Sequence, residues 1–266
     1  MRDSTVLVTG GGKGLGRAFT EALGQTGARV FITGRDASAL EETVEKLTAE
    51  GILVEAMRAD VVDGGAMQDV VTRIIASTGR LDVLVNNAVD PGPVGPTADI
   101  DFDAWWRTQQ VNVAGPLVTA QAALAVMIPA GRGRIINLVS PAGIKRWPYA
   151  TAYSVSKAAL LKLSENLAAE LRSTGVTVLS YNPGIVDAGL TREGMRFAGN
   201  TDDPWLDRIG RWAIEARDSG AFTPLDTAVK ALVRLARGDA DVLTGLVINA
   251  EDDLDARISE RRALSR

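Results

Sequence analysis

The sequence predicts one α/β domain, a doubly wound parallel sheet of about seven strands with helices on both faces. Three observations carry this expectation. Short, nearly continuous apolar runs recur along the chain, as strands buried on both faces require. Longer segments with helical periodicity separate them, and strands alternating with helices imply right-handed βαβ units. No Pro/Gly/Ser-rich linker and no repeat of solenoid period divides the 266 residues, a length that one large domain accommodates.

The elements read in order as follows. Residues 5–9, Thr-Val-Leu-Val-Thr, form a buried strand, and a helix runs from about 15 to 25. Residues 29–33 make a second strand and 37–50 a second helix. Residues 52–58 and 81–86 are strands flanking a helix at about 66–77. A long helical pattern covers 102–127. Strand 133–139, helix 150–172, strand 176–181, helix 225–237 and strand 244–249 complete the series.

Two stretches break the regularity, residues 90–97 and 187–222. Ligands bind outside the carboxyl ends of such strands, so both are expected to cover a substrate. The catalytic domain is thus expected over residues 1–250, with a lid at about 187–222 and a charged tail at 251–266. Apolar residues at helical spacing in the tail, Leu254, Ile258 and Leu264, allow either docking on a neighbouring subunit or a frayed end.

Composition narrows the chemistry. At 46% hydrophobic and 23% charged residues the chain lies outside the disorder range. A net charge of −4 offers nothing to nucleic acid or an anionic membrane. No signal-peptide pattern opens the chain and no apolar run reaches about 18 residues, so a cytoplasmic protein without a membrane span is expected. With no cysteine and no histidine, disulfides, thiolate nucleophiles, histidine triads and nearly all zinc sites are excluded, and no metal site is expected. Any general acid or base must be Tyr, Lys, Asp or Glu.

Tyr153 and Lys157 lie four residues apart, about one helical turn, which puts phenol and ammonium on one helix face. A phenol titrates near pH 10, too high for acid–base work at neutrality, and a neighbouring cation lowers that value. Ser140, thirteen residues before the tyrosine, is placed to hydrogen-bond the same substrate oxygen.

Between the first strand and first helix stands Thr9-Gly10-Gly11-Gly12-Lys13-Gly14-Leu15-Gly16. Glycines there permit close approach of backbone N–H groups to a pyrophosphate at a helix N-terminus. After the second strand, where sites for NAD usually carry an acid, the chain has Gly34-Arg35. Arg35 can clamp a 2′-phosphate, with Lys13 approaching from the first loop. NADP(H) is therefore expected over NAD(H), against which only Asp36, equally suited to capping the next helix, speaks. Asp60 ends the third strand and can accept from an adenine amino group.

Four motifs in order, Thr9-Gly-x-x-x-Gly14-x-Gly16, Asn86-Asn87-Ala88, Ser140 with Tyr153-x-x-x-Lys157, and Asn182-Pro183-Gly184, resemble the short-chain dehydrogenase/reductase family from Thr5 to about Asn249. The resemblance implies a single-domain Rossmann fold with strand order 3-2-1-4-5-6-7. It implies Tyr153 as catalytic acid or base and Ser140 orienting the substrate oxygen. Lys157 would hold the nicotinamide ribose and lower the tyrosine pKa, and Asn112 would support a water relay to the lysine. Asp60 and Val61, then Asn87 and Ala88, match segments beside the adenosine; Pro183, Gly184, Ile185 and Val186 match the segment beside the nicotinamide.

The chain departs from the family at Val89, where glycine is usual, and at Ala188, where a threonine contacts the carboxamide; Thr191 is placed to substitute. For the substrate pocket we expect Val89, Trp147, Tyr149, Met195 and Trp205, with no cationic cluster demanding an acidic ligand. A small neutral ketone or alcohol is the expected substrate, and a homotetramer or homodimer the expected assembly. A 3-oxoacyl-carrier-protein reductase and a non-catalytic NADP(H) sensor are the competing readings.

Overall fold

The computed structural model describes residues 1–264. Seven parallel strands form one sheet in the order β3-β2-β1-β4-β5-β6-β7. They are β1 (Thr5–Thr9), β2 (Arg29–Gly34), β3 (Val54–Arg58), β4 (Val83–Asn86), β5 (Gly133–Leu138), β6 (Val176–Asn182) and β7 (Val247–Asn249). The order reverses beside β1, so a crevice opens at the carboxyl ends of β1 and β4.

Side-chain alternation divides two cores. Val6, Val8, Val30, Ile32, Val83 and Val85 face one side, under α1 (Gly14–Gln25), α2 (Ala37–Ala49) and the later helix that spans Leu225–Arg237. Leu7, Phe31, Leu84 and Ile135 face the other. There they meet α3 (Gly64–Thr78), α5 (Gly115–Met127) and α6 (Thr151–Glu170), while α4 (Phe102–Gln109) packs on α6. Both helical layers are continuous with the sheet, which is why the strands read as unbroken apolar runs.

The pattern at 102–127 is one helix interrupted by a π-helical turn, Gln110–Ala114, between α4 and α5. By length and composition alone Phe102–Met127 could cross a membrane. Half of its most apolar window is buried, with Ala120, Ala123 and Met127 in the second core, so it covers the sheet.

The lid, expected to be irregular, contains two helices, α7 (Gly189–Met195) and α8 (Pro204–Asp218). Asp203 caps α8 by accepting from Trp205 N and Leu206 N, and Pro204 occupies the first turn, the usual chemistry of a helix start. After α9 (Leu225–Arg237), the tail forms α10 (Leu254–Leu264). It is not a frayed end: Leu254 and Ile258 are buried in this chain's own first core, and Asp255 pairs with Arg234 of α9 at 2.5 Å.

Candidate active site

The glycine loop is held by backbone packing. Gly10 has φ +65°, and a Cβ on it would lie 2.9 Å from Ala88 Cα. A Cβ on Gly16 would lie 2.1 Å from Gly10 O. Asn87 ties the loop shut: its Nδ2 donates to Thr9 O at 2.9 Å and Gly10 O at 3.1 Å. Thr9 Oγ1 accepts from the backbone N–H groups of Asn87 and Ala88. Asn87 thus fixes the cradle by side-chain bonds that the sequence did not reveal.

At the far end, Lys157 is 4% exposed and donates to Leu138 O at 2.7 Å. Its Nζ stands 5.5 Å from the centre of the Tyr153 ring. Ser140 Oγ accepts from Ala142 N at 3.2 Å and lies close enough to the Tyr153 hydroxyl to favour its ionisation. The turn carrying Ser140 is seated on α6, because a Cβ on Gly143 would lie 2.7 Å from Lys157 C.

Burial shapes the electrostatics. It lowers the Lys157 ammonium to about 8, since removing a cation from water favours the neutral amine. It pushes the Tyr153 phenol up, against the opposing effect of Ser140. The expected lowering of Tyr153 by Lys157 is therefore corrected for the protein alone: desolvation dominates and raises the phenol.

One cavity of about 500 Å³ joins these regions. Lys13, Arg35 and Asp60 line one end, and Ser140, Tyr153 and Lys157 the other.

A family profile described as short chain dehydrogenase matches residues 4–197. The chain belongs to that family. It is 34% identical over 98% of its length to a short chain dehydrogenase of Pseudocercospora fijiensis, 84% of which is covered. It is 31% identical over 96% of its length to 2-(S)-hydroxypropyl-CoM dehydrogenase 3 of Xanthobacter autotrophicus, with 98% of that protein covered. Among solved structures, a variant of actinorhodin polyketide ketoreductase with NADPH superposes with a TM-score of 0.82 at 28% identity. The match covers 92% of this chain and 95% of the other.

In this short-chain dehydrogenase the cavity walls include Gly10, Gly12, Lys13, Gly14, Leu15, Gly16, Arg35, Asp60, Val61, Asn87, Ala88, Val89, Pro183, Gly184 and Val186 as expected. Thr191, suggested as a replacement for the family's threonine, also lines it. Ile185 is not among the walls; its backbone bridges to Phe222 and accepts from Thr223 N at 2.9 Å. Asn112 lies buried behind the cavity in the π-helical turn. Its Oδ1 accepts from Asp90 N, and its Nδ2 donates to Asp90 O and Ser156 Oγ. Ser156 Oγ in turn donates to Tyr153 O at 2.7 Å. The carboxamide thus braces Asp90 and the tyrosine's helical turn.

Asp60 has a second task that spacing did not show. It pairs with Arg107 of α4 at 2.7 Å. Burial opposes its ionisation, but the bonds from Arg107 and Val62 N hold its carboxyl below the usual range. Trp147, Tyr149, Met195 and Trp205, expected as pocket residues, do not line the cavity. The three aromatics pack between lid and loop, as aromatic faces and edges favour.

Proposed function

We propose that this enzyme transfers a hydride between NADP(H) and a neutral ketone or secondary alcohol, with Tyr153 as acid and base. The single observation that carries the reading is the cavity, which has Lys13 and Arg35 at one end and the Ser140–Tyr153–Lys157 cluster at the other. The residues fit a dinucleotide: the glycine cradle leaves no space for a Cβ at Gly10 or Gly16, and α1 opens at the loop, so its N-terminal N–H groups suit a phosphate.

When bound, the nicotinamide supplies or accepts the hydride at the carbonyl carbon. Tyr153 donates its proton to the substrate oxygen as that hydride arrives, and Ser140 hydrogen-bonds the same oxygen. Lys157, 5.5 Å from the ring centre, favours the resulting phenolate. Oxidation runs through the same groups in reverse.

NADP(H) is preferred in this reading because Lys13 and Arg35 line the cavity, while Asp36, which lines it too, is engaged with its own helix. Its Oδ1 accepts from Ser38 Oγ at 2.8 Å and Ala39 N at 3.2 Å, capping α2. Solved structures similar to the chain include both an NADPH complex and an NAD⁺-bound xylitol dehydrogenase, so titration must decide. NADPH binding at least about tenfold tighter than NADH supports the assignment; equal binding contradicts the roles of Lys13 and Arg35. Substrate class is tested with NADPH against neutral carbonyls, carboxylates and phosphorylated sugars, where turnover of the charged compounds alone defeats the reading.

The assembly proposed is a homodimer or homotetramer through α4–α6. Phe102, Trp106, Leu117 and Val155 expose apolar surface on these helices, which a second copy would bury. Light scattering of Val155→Asp is expected to show a smaller species than wild type; an unchanged mass contradicts this interface.

A further inference from the structure

Three segments meet around the cavity. Loop 90–97 contributes the wall residues Asp90 and Pro91, and α7 of the lid contributes Leu190 and Glu193 on the glycine-loop side, where Glu193 pairs with Lys13 at 3.9 Å. The third segment, residues 144–150, links Ser140 to α6. No regular sheet or helix pairing joins the three, so something else fixes the space between them.

That fastening is aromatic. Tyr149 stacks on Trp205 of α8, with ring centres 4.3 Å apart. Trp147 meets Trp212, about two turns further along the same face of α8, edge to face at 4.8 Å. The Arg208 guanidinium lies 5.0 Å from the Tyr149 ring centre, within range for a cation–π contact. Loop 90–97 joins through Gly95: its N–H donates to Tyr149 O at 2.8 Å, and a Cβ there would lie 3.3 Å from the Trp205 indole.

The backbone at the centre is strained. Tyr149 has φ +68°, one of two non-glycine residues with positive φ among those described. A bulky residue is disfavoured in that region and persists only where surrounding contacts hold it. Here Trp205, Arg208 and Gly95 do so, four residues before Tyr153.

We infer that Trp205 and Trp212 set substrate size: by locking α8 onto residues 144–150 they close the reacting end, so that the site takes compact carbonyl compounds and excludes fused-ring ones. This rests on the carbonyl-reductase reading above. The cavity supports it, because about 500 Å³ must hold cofactor and substrate together, a volume within the range that one drug-sized ligand fills.

The test compares NADPH-dependent reduction of butanone, cyclohexanone and decalone by wild type, Trp205→Leu and Trp205→Ala. Trypsin cleavage within the lid, at Arg192, Arg196 and Arg208, is followed in parallel without ligands. Wild type is expected to favour butanone or cyclohexanone. Trp205→Leu should raise the decalone-to-butanone ratio of kcat/KM by about tenfold or more and speed lid cleavage. The leucine variant keeps an apolar side chain, so the comparison survives if the alanine variant fails to fold. Equal use of decalone by wild type, or an unchanged ratio in Trp205→Leu, overturns the inference. Absence of any carbonyl reduction by wild type defeats the reductase reading and the size assignment with it, whereas turnover with an unaltered ratio defeats the size assignment alone.

Discussion

The half of the molecule facing the dinucleotide and the half facing the substrate are held in opposite ways. In the first, backbone meets backbone: Gly10 abuts Ala88, Gly16 abuts Gly10, and Asn87 bonds the loop shut. In the second, large side chains reach between segments that have no ladder in common, as Tyr149 and Trp147 do with Trp205 and Trp212. The first arrangement leaves no room for a different residue. The second can be remodelled by exchanging one aromatic side chain, as loops on a rigid scaffold generally can.

Gly16→Val is the harshest way to test this contrast. The new Cβ would meet the Gly10 carbonyl at 2.1 Å, and backbone cannot step aside cheaply. NADPH affinity should fall by about a hundredfold or more, roughly 2.7 kcal/mol, measured by fluorescence titration. Retained affinity would show that the cradle is more pliable than its packing implies.

Lys157→Met examines the junction of the two halves through pH. Burial holds the folded pKa near 8, below the unfolded value of about 10.4. Between those values the unfolded chain binds more protons, so stability rises with pH. Wild type should gain about 3 kcal/mol relative to Lys157→Met from pH 8 to 10.5, followed by urea unfolding without cofactor. A constant difference would mean that the ammonium is solvated.

Trp205→Leu addresses the substrate half alone. Lost contact at a half-buried indole should cost about 1–2 kcal/mol and lower Tm by roughly 2–8 °C, while NADPH affinity stays that of wild type. A parallel loss of cofactor affinity would show that the halves are not independent. The mildest expected effect is that of Arg35→Leu, which should weaken NADPH by about tenfold, near 1.4 kcal/mol, and leave NADH unaffected. An equal effect on both cofactors would remove Arg35 from phosphate recognition.

The same contrast explains what the sequence revealed. Strands β1 to β6 and their helices were legible because burial on both faces writes a continuous apolar run, and glycines mark the cradle by their spacing. The strand order came with the family resemblance. The π-helical turn at Gln110–Ala114 was not legible, since its residues continue an ordinary helical pattern. The lid helices were missed although Asp203-Pro204 is a readable start signal. The pairing of aromatics across segments, and of Asp60 with Arg107, leaves no periodic trace at all. Tail docking was ambiguous because Leu254 and Ile258 show an apolar stripe without its partner.

The central claim is that Tyr153 exchanges the proton. NADPH binding and NADPH oxidation should be measured on wild type and Tyr153→Phe with a carbonyl that wild type reduces. In Tyr153→Phe, kcat is expected to fall by about 10²–10⁴ while NADPH binds the variant as it binds wild type. A Tyr153→Phe protein that keeps wild-type kcat would contradict it.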